Sequence, residues 1–243
     1  MKGVRQQVHE ALCGIGTFRI ERAFSPSLAR KLQKEAEQLF ALPTEERNRI
    51  PGYSPPGVEG VRDYGPSLLR HFVDDRVGEP PRSPITKEAC VELWEQARYW
   101  LRVVDLEFST PLTEGAAGGP HMLRRSQYLN EDTSRQVLFP PHRDFGLLTF
   151  YVGGAAEGLQ MKIQDEWCDV WNPPGSLIAA AGTTLRLYAP EIISVQHQVV
   201  GSRTGRISTV FFTEPRADVV LPNGVRAGDH LARLVRQIRT DAP

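Results

Sequence analysis

The sequence predicts a mainly β protein with flanking helices: a distorted jelly-roll (double-stranded β-helix) barrel supported by N-terminal helices. Three observations predict it. The texture changes near Met122, from helical spacing to short β-forming runs. Those runs recur at even spacing, separated by Gly, Pro and Asn. After residue 122 no helical pattern alternates with them, which argues against a doubly wound parallel sheet. Residues 1–243 read as a single domain, with 1–121 a mostly helical support region, 122–222 the jelly-roll core and 223–243 a C-terminal helix.

The elements follow in order. Ser25-Pro26 marks a helix start, with Ser25 as cap and Pro26 at the first helical position. Leu28, Leu32, Ala36, Leu39 and Phe40 keep helical spacing, and Pro43 ends the pattern. Residues 51–85 are rich in Gly and Pro and read as a long surface excursion, either covering a site or linking two helices. A second helix is expected from near Thr86, with Cys90, Leu93, Trp94, Ala97, Leu101, Val104 and Phe108 as its core stripe, lying against a sheet. The segment TPLTEGAAGGP reads as the closing loop. Strands are expected in MLRRSQYL, QVLF, LLTFYV, GLQMKI, CDVW, SLIAAA, ISVQHQVV, RISTVFF and DVVLP. Leu231, Leu234, Val235 and Ile238 outline a final amphipathic helix.

Composition narrows the function. The chain is 40% hydrophobic and 24% charged, enough apolar material for a core and too much for a disordered chain. Lys+Arg and Asp+Glu are both 29, so no basic footprint for nucleic acid or an anionic membrane is present, and a small-molecule substrate is expected. Oligomeric state has no signature. Cys13, Cys90 and Cys168 are widely spaced, without a CxxC pair, and are expected to be reduced thiols. Neither a signal peptide nor a membrane-length apolar run is visible, so a cytoplasmic location is expected.

The chemistry begins in PPHRDFGLLTF. His142 and Asp144 stand two apart at a strand edge, so alternation puts both on one face. In EIISVQHQVV, Val195, His197 and Val199 share one face, while Gln196 and Gln198 share the other; His197 is expected to point into the barrel. Two imidazoles and a carboxylate match the facial triad that suits Fe(II) and leaves open positions for O2 and an organic co-substrate. Spacing alone leaves both a metal centre and hydrogen-bonded core histidines open. Downstream, Arg206 and Ser208 share a strand face with Val210 and Phe212. A buried Arg requires an anion. A guanidinium and a hydroxyl together would grip a carboxylate, although a structural ion pair of Arg206 with Glu214 is the alternative.

In this order, the motifs HRDFGLLTF, GLQMKIQDEWCDVWNPPGSLIAAAG, SVQHQVV and RIS followed by FFTEP resemble the isopenicillin-N-synthase-like family of 2-oxoglutarate- and Fe(II)-dependent oxygenases. A weaker match extends through CGIGTFRIERAFSPSLARKLQKEAEQLFALPTEER, so that the likeness runs from about residue 7 to 222. The resemblance implies that His142, Asp144 and His197 ligate iron. It implies that Arg206 and Ser208 clamp the distal carboxylate of 2-oxoglutarate, with Tyr128 assisting from the strand that also carries Met122, Arg124 and Ser126 on one face. Phe212 falls where the family presents a substrate-facing aromatic. The implied reaction oxidises an unactivated C–H bond with O2, as 2-oxoglutarate is decarboxylated to succinate; hydroxylation is the default, with desaturation or ring closure also known in the family.

Departures concern the pocket. The family's opening Ile-Pro strand is missing. Ser126 replaces a common Asn, Gly182-Thr183 a frequent Gly-Asp, and Arg143 a smaller polar residue between the ligands. Arg124, if it faces inward with Tyr128, could bind an acidic group of the substrate; an outward or ion-paired Arg is the alternative. Arg186, in LRLY, is a further candidate of the same type. Two other functions share this scaffold: an Fe(II) oxidase that uses no 2-oxoglutarate and holds its substrate carboxylate with Arg206 and Ser208, and a non-catalytic binding module.

Overall fold

The computed structural model describes residues 2–55, 70–128, 136–202 and 205–240. The first half contains α1 (Lys2–Gly14), β1 (Thr17–Ile20), α2 (Pro26–Phe40), α3 (Thr44–Arg47), β2 (Tyr53–Ser54), β3 (Arg70–Arg76), α4 (Pro84–Phe108) and α5 (Leu112–Ala116). The second contains β4 (Met122–Tyr128), β5 (Val137–His142), β6 (Leu148–Val152), β7 (Leu159–Ile163), β8 (Glu166–Asp169), β9 (Leu177–Ala181), α6 (Leu185–Tyr188), β10 (His197–Val200), β11 (Arg206–Phe212) and α7 (Ala227–Thr240).

Local chemistry sets the helix ends. The Ser25 hydroxyl accepts from the Leu28 N–H at 3.3 Å, and Pro26 opens α2. Leu28, Leu32, Ala36, Leu39 and Phe40 are all buried, as their spacing requires. The Ser83 hydroxyl accepts from the Thr86 N–H at 3.0 Å, so α4 starts at Pro84, two residues before the expected start. Leu93, Ala97, Leu101 and Val104 form its buried stripe. Each fully buried Leu contributes about 2 kcal/mol.

Two sheets face each other. Among the described residues the larger runs β1-β9-β6-β11-β4-β3-β2, and the smaller β5-β10-β7-β8. All pairings between these strands are antiparallel, giving the jelly roll that the sequence predicts. Alternation gives the larger sheet two distinct sides. Phe150 of β6 and Phe211 of β11 enter the main core with α1, α2 and α4. Tyr151 and Val210, one residue later or earlier, point into the barrel and pack with Leu159 and Met161 of β7.

Several expectations need correction. α1 lies where no element was expected; its Val8 and Leu12, four apart, are buried in the main core. The 51–85 stretch is not a plain excursion: β3 pairs with β4 over its whole length, and β2 pairs with β3. The remainder of that stretch from 56 to 69 lies outside the described residues. TPLTEGAAGGP contains α5, because the buried Asp105 carboxylate accepts from the Leu112 and Thr113 N–H groups at 2.7 and 2.9 Å. β8 is EWCD rather than CDVW. DVVLP forms only an isolated bridge, Val220 to Arg226. Gln198 does point away from His197, but it is buried: its amide donates to Gln160 Oε1 at 2.8 Å, and Gln160 donates to Asp169 at 3.0 Å. The three cysteines are unpaired. Among the described residues no helix is long and apolar enough to cross a membrane.

Candidate active site

Between the sheets lies a cavity of about 430 Å³. One wall is a grid formed by three neighbouring strands. Register places Arg70 of β3, Tyr128 of β4 and Arg206 of β11 in one row. The next rows are Phe72–Ser126–Ser208, Asp74–Arg124–Val210 and Arg76–Met122–Phe212. Every residue of these rows lines the cavity. The intervening residues face the other way. Arg125, fully buried at 0% exposure, pairs there with Glu35 of α2 at 2.6 Å and Asp75 of β3 at 2.5 Å, and Arg82 reaches Asp75 at 3.0 Å.

His142, Asp144 and His197 meet on the opposite side. His142 ends β5 and His197 begins β10, and the two are direct partners across the strand pair. Their ring centroids are 4.1 Å apart. Asp144 Oδ1 is 3.9 Å from His142 Nε2 and 3.7 Å from His197 Nε2. The turn carrying Asp144 is pinned to the end of β9: the Thr183 N–H donates to the Asp144 carbonyl at 2.8 Å, and a Cβ on Gly182 would lie 2.1 Å from the Gly146 oxygen. Only glycine permits that approach.

Protonation follows from the neighbours. His142 Nδ1 lies 2.9 Å from the Pro140 carbonyl, which assigns its proton to Nδ1 and turns the Nε2 lone pair inward. His197 Nδ1 lies 3.4 Å from the Val195 carbonyl and its Nε2 faces the cluster beside the Tyr151 hydroxyl. Burial, then the charge of His197, drives the His142 imidazole down to about 3, so it is neutral at pH 7. Burial pushes the Asp144 carboxyl up, but the two imidazoles and the Tyr151 and Thr149 hydroxyls more than offset this, and it ends below its ordinary value. The Tyr151 hydroxyl donates to Asp144 Oδ2 at 2.8 Å and stands 3.0 Å from His197 Nε2. Two imidazole nitrogens and a carboxylate oxygen thus converge. They suit a divalent cation, and all three ligand atoms lie within 4.8 Å of one another.

Arg206 and Ser208, the pair expected to grip a carboxylate, also face the cavity. Arg206 is 9% exposed; its Nη1 donates to the Ala156 carbonyl and, at 3.3 Å, to that of Glu157. Its Nε is buried without a hydrogen-bond partner. Burial lowers its pKa, and Tyr128 and Tyr151 work against that. Ser208 is buried one row further along. The suggested Arg206–Glu214 ion pair does not form. Glu214 also lines the cavity, and burial, then the Asp144 charge, pushes its carboxyl up to about 8.

Other candidates divide. Phe212 lines the cavity. Arg124 does too, but its Nε and Nη2 donate to the two Asp74 carboxylate oxygens, both at 2.7 Å, so the protein already supplies its acidic partner. Arg186 is exposed on α6 and does not line the cavity, so it is not brought to the site. Sequence reasoning missed Arg70, Phe72 and Asp74, because RHFVDDR carries charges on both faces and shows no apolar alternation. It also missed Tyr151, although the alternation of LTFYV puts it on the same face as Thr149.

Comparison with known proteins agrees with this geometry. Residues 120–215 match the model of the 2OG-Fe(II) oxygenase superfamily. The 2'-deoxymugineic-acid 2'-dioxygenase of Hordeum vulgare is 25% identical over 247 residues, spanning 90% of this chain and 72% of that protein. In fold, the chain resembles a full-length Neurospora crassa protein solved in complex with alpha-KG and thymine, with a TM-score of 0.80 at 16% identity over 97% and 91% of the two chains. It also resembles the Arabidopsis thaliana dioxygenase for auxin oxidation 1 in its 2-oxoglutarate complex, with a TM-score of 0.74 at 20% identity over 90% of each. By sequence pattern over residues 120–215 and by barrel fold over most of its length, this chain is similar to the 2-oxoglutarate- and Fe(II)-dependent oxygenases.

Proposed function

We propose that His142, Asp144 and His197 bind Fe(II), that Arg206, Ser208 and Tyr128 hold the distal carboxylate of 2-oxoglutarate, and that the substrate is a small organic molecule hydroxylated at an unactivated C–H bond. The observation that carries this reading is the convergence of two imidazole nitrogens and a carboxylate oxygen within 4.8 Å of one another, in one cavity with a buried guanidinium that no described carboxylate pairs. Bound Fe(II) and 2-oxoglutarate supply the oxidising power, with O2 consumed and succinate released. The protein's residues position and shield. Tyr151 orients the Asp144 carboxylate by donating to its second oxygen. The apolar side chains of Phe139, Leu159 and Val199 limit water around the cluster. Arg206 and Ser208 stand on one strand face, so a carboxylate held there is fixed in direction as well as place. Similar structures, one solved with thymine and one named for auxin oxidation, support a small-molecule substrate.

The test is anaerobic visible absorption of the Fe(II)-loaded protein during a 2-oxoglutarate titration. The reading expects a weak charge-transfer band that saturates at one equivalent and is absent in His142→Ala. Stoichiometric iron with no band at any 2-oxoglutarate concentration would overturn the assignment of Arg206, Ser208 and Tyr128.

A further inference from the structure

The row Arg70–Tyr128–Arg206 contains a second guanidinium that the proposed reaction does not use. Arg70 is 5% exposed and lines the cavity. Among the described residues, no carboxylate lies within ion-pair distance of it; its side-chain partner is the Tyr128 hydroxyl, the Asp74 charge stands further off, and its Nε is buried without a hydrogen-bond partner. Two other buried cations of these strands are matched by carboxylates, Arg124 by Asp74 and Arg125, on the opposite face, by Glu35 and Asp75, whereas Arg206 meets only backbone carbonyls. A buried guanidinium that meets a phenol hydroxyl but no carboxylate is costly, and an anion would offset that cost.

Its surroundings specify the anion's setting. The guanidinium carbon lies 3.8 Å from the Phe139 ring centroid and 4.8 Å from that of Phe72. Ring stacking occupies the faces of a guanidinium and leaves its in-plane N–H groups, which match a carboxylate edge. Phe139 in turn contacts His142, with ring centroids 4.3 Å apart, so the aromatic wall runs from Arg70 to the metal-binding cluster. Arg70 and Arg206 stand two strand spacings apart, about 10 Å, which one carboxylate cannot span.

We propose that Arg70 is a substrate-specificity residue that binds the carboxylate of an aromatic organic acid, whose ring lies along Phe72 and Phe139. The inference rests on the reading that gives Arg206 to 2-oxoglutarate. It also moves the acid-binding role from Arg124, which Asp74 satisfies, to its neighbour two rows away.

The experiment is anaerobic calorimetry on the protein loaded with Fe(II) and saturating 2-oxoglutarate. Benzoate and phenylacetate are titrated against their neutral amides. The acids are expected to bind at least about tenfold more tightly than the amides. Arg70→Gln should abolish that preference, Arg70→Lys should retain part of it, and both should keep 2-oxoglutarate affinity within about threefold, a change below the worth of one hydrogen bond. Equal binding of acid and amide, or binding of neither, overturns the proposal. So does an acid affinity that falls as 2-oxoglutarate is raised, since the acid would then occupy the Arg206 end. Loss of 2-oxoglutarate binding in Arg70→Gln would make Arg70 part of the co-substrate clamp, and also overturns it. Failure of the underlying reading is separately visible, as unchanged 2-oxoglutarate affinity in Arg206→Gln. Thermal melting of Arg70→Gln with and without benzoate guards against misfolding: a variant that melts cooperatively but is not stabilised by benzoate, beside a wild type that is, supports the assignment.

Discussion

Asp74 and Arg124 face each other across β3 and β4, joined by two hydrogen bonds of 2.7 Å inside the cavity. Burial opposes the Arg124 charge, and Asp74 more than offsets it, so the guanidinium keeps its charge. Phe72 covers the guanidinium at 4.0 Å. Replacing Asp74 by Asn leaves that cation without its partner and should cost about 1–3 kcal/mol of stability. The double variant Asp74→Leu/Arg124→Met should recover most of the loss, because it leaves no orphaned charge. Urea denaturation of the two single variants and the double variant measures the coupling.

Arg206→Ala should weaken 2-oxoglutarate binding by about 2–3 kcal/mol, or roughly 30- to 150-fold, by removing a charge-assisted contact. Tyr128→Phe removes one neutral hydroxyl from the same row and should cost about 1 kcal/mol, near fivefold. Anaerobic titration gives both values. Iron affinity should be unaffected in either variant, since neither side chain offers an atom to the His-Asp-His cluster.

Tyr151→Phe should lower Fe(II) affinity about tenfold, by freeing the Asp144 carboxylate to rotate. Competition with a chelator of known affinity checks this. 2-Oxoglutarate binding, measured at saturating iron, should change far less.

Glu214 makes stability depend on pH. Its folded carboxyl sits at about 8, against an ordinary value of 4.5, chiefly because it is buried. Between those values the folded state holds a proton that the unfolded chain has released. Metal-free protein should therefore lose stability as pH rises through that window, and the loss should level off above about 8. Glu214→Gln cannot ionise and should lose less stability from pH 5 to 8, with a difference on the order of a few kcal/mol. Melting curves at several pH values would test it; parallel pH profiles for the two proteins would refute the buried-acid account.

The parts of the site legible in the sequence are those fixed by local geometry. His142 and Asp144 are two apart, and alternation placed His197, Arg206 and Ser208 on inward faces without knowledge of the partner strands. The cavity's third strand was not legible, because β3 is defined by its pairing with β4, 50 residues later. Asp74, the partner of Arg124, is likewise visible only through that register. Burial outside the barrel followed the same division. The stripe of α2 is a local repeat, whereas Gln198 is buried through hydrogen bonds to Gln160 and Asp169 on neighbouring strands. Arg186 illustrates the converse error, since nothing local to LRLY tells an exposed arginine from one that lines a cavity.

Arg124 and Arg125 are chain neighbours with separate duties, one in the cavity and one tying α2 to the sheet. The same division runs along β3 and β11. A library that varies only alternate positions of these three strands would therefore sample new ligand preferences while sparing the scaffold. A single-residue deletion in β4 would do the reverse, moving Arg125 into the cavity and Arg124 into the core, and its carriers should be absent from the folded survivors of such a library.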